Sequence, residues 1–368
     1  MKTYILAISL ILIFASCKQK NDSLPVIDID IKNTGEFALS EIADSVKLIP
    51  LETREECLIS TIRKVKFSSE YVYVSESQRL LQFNLSGKFI RQISKTGRGP
   101  GEFRAISDFC IDPNNENLYI ISFNKILRFN AKGQLLQEFS IQGFPEQIIK
   151  LDSSIWINIA EFAVKQTDGK SHNISKLIKL DSTLNPIDST IVNDVGLIQG
   201  FSFINPSASY FSSAGDRNYF YYPSVLIEPV VRDTLFHIEN DKLIPAIKFN
   251  FGEEITKLTQ NQKQVKDVPP YKKFRIMGIC ATMQYFFVNY SLEDKDYFAS
   301  YNSDNEIIFN MENGFNDDFY QTGKVILKPL NYATNYMYFI KEGFEIADKI
   351  DIVDENDNPV LMLVKLKE

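Results

Sequence analysis

Three observations predict an all-β chain made of repeated four-stranded units. A segment occurs twice, RLLQFNLSGKFIRQI at 79–93 and KILRFNAKGQLLQEF at 125–139, which sets Phe83 over Phe129, Asn84 over Asn130 and Gly87 over Gly133. An apolar run lies upstream of each copy at the same offset, with Tyr73 matching Tyr119. Short apolar runs separated by Gly, Asn and Asp turns then continue to the C-terminus, and they fall into six groups. A period in the forties built from strand, turn and strand is the signature of a β-propeller blade. The predicted fold is therefore a six-bladed β-propeller with four-stranded antiparallel blades.

The chain opens with MKTYILAISLILIFASCKQK. Lys2 supplies a positive start, Ile5 to Phe14 are apolar apart from Ser9, and the small residues Ala15 and Ser16 precede Cys17. Such a stretch is a secretory signal, too short for a spanning helix, which needs about 20 apolar residues. The ending Phe14-Ala15-Ser16-Cys17 resembles the lipobox of bacterial lipoproteins. That resemblance implies a signal peptide over 1–16 and lipid attachment at Cys17, where more than one acyl chain gives stable anchoring. Residues 17–35 are expected to be a lipidated, flexible tether and 36–368 the propeller.

The strand groups follow in order. Group one holds KVKF (64–67), YVYVSE (71–76), LLQFN (80–84) and FIRQI (89–93). Group two holds ISDFCI (106–111), LYIIS (118–122), ILRFN (126–130) and LLQEFSI (135–141). Group three is EQIIKL (146–151), IWINIA (155–160), KLIKLD (176–181) and PIDSTI (186–191), and group four runs through FSFIN (201–205), YFYYP (219–223), TLFHI (234–238) and IPAIKFNF (244–251). Group five contains IMGICAT (276–282), YFFVNY (285–290), FASYN (298–302) and EIIFNM (306–311). The turns Ser86-Gly87, Lys132-Gly133, Asn185-Pro186, Asn240-Asp241 and Asp304-Asn305 suit tight hairpins, because Gly, Asn and Asp tolerate positive φ. Group six supplies only VILKPL (325–330), NYMYFI (335–340) and VLMLVKL (360–366). SVKLIPLE (45–52) is the candidate fourth strand, and pairing it with the C-terminal blade would close the ring and remove two exposed edges. Segments 253–274 and 342–350 read as surface excursions.

Between the first two groups stands KTGRGPGEFRAISDFCID (95–112). Its Gly-Pro-Gly-Glu-Phe crossing followed by a strand resembles the NHL-repeat type of propeller. With LSEIADSVKLIPLE (39–52) and NPVLMLVKLK (358–367), the chain resembles the six-bladed β-propeller lipoproteins of Gram-negative bacteria. That resemblance implies export and a place on the outer membrane, facing the periplasm or the cell surface, and it implies no reaction. The GRGPGEF run lacks both the GxxxxGK[ST] spacing and a following helix, so it reads as a structural turn rather than a phosphate loop.

Composition narrows the function classes. A net charge of −7 argues against nucleic acid, whose phosphates call for a basic surface. Cys57, Cys110 and Cys280 show no CxxC spacing and read as free thiols. His172 and His237 are the sole histidines, which excludes a His-rich zinc site; His237 reads as a strand histidine with a local hydrogen bond and His172 as a solvated loop residue. Neither GxSxG nor an SxxK with suitable partners is present, and spacing alone argues for no Cys-His nucleophile pair. DENDNP (354–359) lacks the central Gly and distal Glu of a calcium loop. Asp-Ser/Thr triplets at Asp22, Asp44, Asp181, Asp188 and Asp233 resemble an O-glycosylation pattern, with Ser23 in the tether as the candidate acceptor.

The resulting expectation is a monomeric, membrane-anchored propeller that binds a protein or glycan ligand, with no catalytic or cofactor-binding residues. The alternative is a hydrolase or lyase of the lactonase-like propeller class. Its divalent cation in the central channel would draw oxygen ligands from Asp108, Asp112, Glu146, Asn205 and Asn289.

Overall fold

The computed structural model describes residues 24–167, 169–196, 210–223, 231–253, 255, 274–304, 306, 308–330 and 335–368. Two strands precede the repeats, β1 (Val26–Asp28) and β2 (Ala43–Pro50). The first repeat forms an antiparallel sheet of β3 (Lys64–Phe67), β4 (Tyr71–Ser75), β5 (Leu80–Asn84) and β6 (Phe89–Ile93). The second is β7 (Asp108–Ile111), β8 (Leu118–Ser122), β9 (Lys125–Phe129) and β10 (Leu135–Ser140). The third is β11 (Phe144–Leu151), β12 (Ser154–Lys165), β13 (Ser171–Leu180) and β14 (Pro186–Gly196).

The fourth sheet has β15 (Phe211–Ala214), β16 (Arg217–Phe220), β17 (Thr234–Glu239) and β18 (Lys242–Asn250), and β1 adds to its outer edge in parallel with β18. The fifth is β19 (Phe274–Ala281), β20 (Tyr285–Leu292), β21 (Lys295–Asn302) and β22 (Ile308–Glu312). A two-stranded ribbon, β23 (Phe315–Asp317) with β24 (Gly323–Val325), leads to the sixth sheet. That sheet contains β25 (Lys328–Pro329), β26 (Tyr336–Lys341) and β27 (Val360–Leu366), with β2 as its outermost strand. The β2–β27 pairing is antiparallel and sets Leu48 against Met362. Among the described residues this is a β-propeller-type arrangement of multiple four-stranded antiparallel sheets.

Each sheet buries both faces, which explains why its middle strands read as continuous apolar runs rather than as strict alternation. LYIIS of β8 is buried at every position. Outer strands such as β10 alternate with exposed residues instead. Among the described residues the apolar side chains gather into six clusters, five between sheets consecutive in the chain and one between the last and the first. Tyr73 and Phe109 meet between the first and second, Ile121 and Ile157 between the second and third, and Trp156 and Phe220 between the third and fourth. Phe249 and Val288 share the fourth and fifth, Phe298 and Met362 the fifth and sixth, and Leu361 and Val65 the sixth and first. Phe83 and Phe129, the repeated anchors, are fully buried. A buried phenylalanine of this kind contributes about 1.5–3 kcal/mol.

Several expectations change. Residues 24–35 are not tether: β1 pairs with β18, Ile27 and Ile29 are buried, and Asn310 Nδ2 donates to the Asp30 carbonyl at 3.0 Å. Two isoleucines on a short polar segment are a weak sequence signal, and only the edge of the fourth sheet supplies their partners. FSFIN (201–205) lies outside the described residues, and β15 occupies the first position of the fourth sheet. VILKPL narrows to the two-residue β25, because Pro329 has no N–H to continue a ladder. Segment 342–350 is anchored rather than an excursion. It forms a short helix, α1 (Gly343–Ile346), whose Ile346 is buried together with Ile350 in the core between the fifth and sixth sheets. Of the 253–274 excursion, all but Glu253, Ile255 and Phe274 lies outside the described residues.

Candidate functional site

The first strands of all six sheets wall a common cavity of about 310 Å³, to which β3, β7, β11, β15, β19 and β25 contribute Lys66, Asp108, Lys150, Phe211, Ile279 and Lys328 respectively. A strand alternates its side chains between two faces. In β3 this alternation puts Lys64 and Lys66 on one face, while Val65 and Phe67 join the core between the first and sixth sheets. In β7 it pairs Asp108 with Cys110, and it sends Phe109 and Ile111 into the core between the first two sheets.

Asp108 organises one side of the cavity. Its side chain is 1% exposed; Oδ1 lies 3.1 Å from Lys64 Nζ and 3.0 Å from Lys66 Nζ, and Oδ2 accepts the Ile148 backbone N–H at 2.9 Å. One carboxylate thus ties β3, β7 and β11 together. Burial pushes the Asp108 carboxyl up, but the two ammonium groups and the Ile148 amide outweigh it and hold it below the usual carboxylate range. Burial is the larger effect on Lys64, whose ammonium falls to about 8 despite the Asp108 charge. Its Nζ pairs with Asp108 Oδ1, the oxygen that Lys66 also approaches, so one carboxylate oxygen serves two ammonium groups. Lys66 Nζ additionally donates to the Phe109 carbonyl.

The wall carries five cationic side chains, Arg63, Lys64, Lys66, Lys150 and Lys328, against the single carboxylate of Asp108 among the described residues. Lys150 donates to the Asp152 carbonyl, whereas among the described residues no acid pairs with Lys328, whose ammonium burial pushes down. The first strands of the fourth and fifth sheets instead bring apolar residues, Phe211, Met277 and Ile279, to the lining. Asn289 of β20 also reaches the cavity, and its Oδ1 is buried without a hydrogen-bond partner.

The five oxygen donors expected of a channel metal do not converge. Asp108 and Asn289 reach the cavity. Asp112 sits past the end of β7, where it accepts from the Asn114 N–H at 3.0 Å, and Glu146 accepts from Asn158 Nδ2 at 2.5 Å away from the wall. Asn205 lies outside the described residues. A divalent ion beside Asp108 would face two ammonium groups within about 3 Å of the same oxygen, so the donor set does not fit one. Among the described residues no three His, Cys, Asp or Glu side chains are grouped to hold a metal. The lysines are what sequence reasoning missed. The signal was a lysine inside the first strand of three groups, KVKF, IIKL and ILKP.

The other candidate residues have structural roles. Burial raises the Cys110 and Cys280 thiols to about 12, which keeps them protonated and unreactive. Cys57 Sγ donates to the Glu52 carbonyl at 3.0 Å. His237 Nε2 lies 3.1 Å from Glu239 Oε2, a local strand contact. His172 is not a solvated loop residue; it sits in β13 with Nδ1 2.5 Å from Asp194 Oδ1 on β14, because both strands run farther than their apolar residues indicate. In the GRGPGEF crossing the Glu102 carboxylate fills the loop and accepts the Gly99 N–H at 2.8 Å, while Phe103 is buried between the first two sheets. The Gly101 N–H donates to Glu138 at 3.1 Å and the Gly97 N–H to the Phe103 carbonyl at 3.0 Å, so these loop amides are taken up within the protein.

Comparison with known proteins places the chain. The family described as a domain of unknown function, DUF4934, matches residues 24–365. The chain belongs to the DUF4934 family. No curated protein matches it in sequence. Among solved structures, a Bacteroides fragilis NCTC 9343 protein described as exported shares the fold, with a TM-score of 0.70 and 18% identity, over 93% of this chain and 100% of that one. The Neurospora crassa Pan2 WD40 domain aligns with a TM-score of 0.41 and 10% identity, over 83% of this chain and 76% of that one. The DUF4934 match runs from ahead of β1 into β27, so the cavity and all its lining residues fall within it.

Proposed function

We propose that this DUF4934 chain is an exported lipoprotein, anchored to the outer membrane through Cys17, whose closed six-bladed propeller binds a ligand in its central cavity. The observation that carries the binding role is the cavity itself: six first strands converge on it, and the buried Asn289 Oδ1 accepts no hydrogen bond from the described residues. Buried polar groups without partners carry a cost that a ligand can relieve. A volume of about 310 Å³ matches the lower range of small-molecule sites. Six interfacial cores running round from the sixth sheet to the first, together with the β2–β27 pairing, support a closed ring of six blades. Export and anchoring are supported by the signal-like start ending at Cys17 and by the description of the B. fragilis protein as exported.

Two experiments test this reading. Metabolic labelling with an alkyne fatty acid should mark the full chain and fail on Cys17→Ala; equal labelling of both removes the anchor. Gly278 borders the cavity with ordinary backbone and no atoms within 4 Å of an added Cβ, so Gly278→Phe should fill the space without straining the fold. A ligand bound by the natural chain and lost in Gly278→Phe supports a binding cavity. Turnover of that ligand by the purified chain would replace the binding module with an enzyme.

A further inference from the structure

From the mixed lining of the cavity we infer that the ligand is an organic anion, an acidic head carried on an apolar body. The inference rests on the cavity being the binding site. Its head would lie against Lys64, Lys66, Lys150 and Lys328, and its body against Phe211 and Ile279.

The charge distribution carries the argument. The chain as a whole is acidic, at −7, yet the described wall of its central cavity sets five cations against one carboxylate. Removing ammonium groups from water is unfavourable unless each is paired. Asp108 can neutralise only one of the two lysines it touches. Among the described residues Lys328 has no acid beside it, and Glu146, a further carboxylate acting on Lys64, is engaged with Asn158 off the wall. A bound anion would supply the missing counter-charge. It would also supply further acceptors for Lys64 Nζ, whose side chain is only 6% exposed and whose one carboxylate oxygen is shared with Lys66. The apolar lining favours an organic anion over a bare inorganic ion, because an apolar body would cover the half-buried Met277 beside Phe211 and Ile279.

The test is ligand-observed fluorine NMR on the full chain, with 4-fluorobenzoate, 4-fluorophenyl phosphate, 4-fluorobenzyl alcohol and 4-fluorobenzylamine as probes. The expected result is binding of the two anions and much weaker binding of the alcohol and the amine. Anion affinity should fall as salt rises, and Lys328→Met should weaken it about fivefold or more, the scale of one charge-assisted contact. Among the described residues Lys328 has no ion pair to break, so this variant keeps the fold. A preference between the carboxylate and the phosphate identifies the head group. Equal binding of anions and alcohol, all lost in Gly278→Phe and unchanged in Lys328→Met, overturns the anion and leaves the binding cavity standing. Probe signals that respond to neither variant overturn both.

Discussion

Asp108 Oδ1 and Lys66 Nζ meet at 3.0 Å across the boundary between the first and second sheets, on the wall of the central cavity. The same carboxylate holds Lys64, so deleting it strands two cations in a poorly hydrated site. Asp108→Ala should destabilise the protein by about 3–5 kcal/mol, the scale for breaking a buried ion pair from one side. Urea denaturation with the slope held comparable reads this directly. A loss under about 1 kcal/mol would mean that the two lysines find water or other partners.

The buried Lys64 gives stability a pH signature. Its ammonium drops from 10.5 to about 8 in the folded chain, so between those values the unfolded chain binds more protons. Stability therefore rises with pH across that window, and the penalty of the buried charge is fully present below about pH 8. Buried tyrosines act oppositely: Tyr73, Tyr221, Tyr290 and Tyr338 are all raised above 10.0 by burial, so they reduce stability as pH climbs past 10. The expected profile has a maximum between about pH 9 and 10, and Lys64→Met should flatten its rising limb. Thermal melts of both chains from pH 7 to 11 check this.

Gly87 and Gly133 occupy the same place in the two repeats, with φ of +85° and +76°. Any side chain there adopts a left-handed conformation costing about 1–2 kcal/mol. An added Cβ at Gly87 would also collide with the Pro50 carbonyl of β2, whereas at Gly133 it would meet the flexible tip of Ile93 at 3.3 Å. Gly87→Ala should thus lower the melting temperature clearly more than Gly133→Ala. Equal shifts would show that β2 moves aside easily.

Asn358 ties the segment after β2 to the start of β27. Its Nδ2 donates to the carbonyls of Glu52 at 2.8 Å and Cys57 at 2.9 Å, and its Oδ1 accepts the Ile59 N–H at 2.8 Å. Asn358→Ala removes three hydrogen bonds and strips the Cys57 carbonyl and the Ile59 N–H of their Asn358 partner, while the Glu52 carbonyl keeps the Cys57 thiol; the cost is about 2–4 kcal/mol. Hydrogen exchange should speed up across β2 and β27 more than in the third sheet. Uniform acceleration would instead mark Asn358 as an ordinary contributor to global stability.

Local sequence determined the strands and their turns, because alternation, apolar runs and Gly or Asn turns act over a few residues. KVKF, LLQFN, FIRQI and LYIIS match β3, β5, β6 and β8 residue for residue. SVKLIPLE was legible as the partner of the last strand because the final group lacked a fourth member. Where strands end on polar residues, as in β12 to β14, the extension rests on neighbouring strands and was not visible. The site was hardly legible at all. Alternation says that Lys64 and Lys66 share a face, but not whether that face meets solvent or the centre. Only the tertiary structure, bringing β3, β7, β11 and β25 to one cavity, sets Lys66 beside Asp108 and leaves Lys328 without a counter-charge among the described residues. Long-range electrostatics of this kind depends on distances between residues far apart in the chain, which no local pattern records.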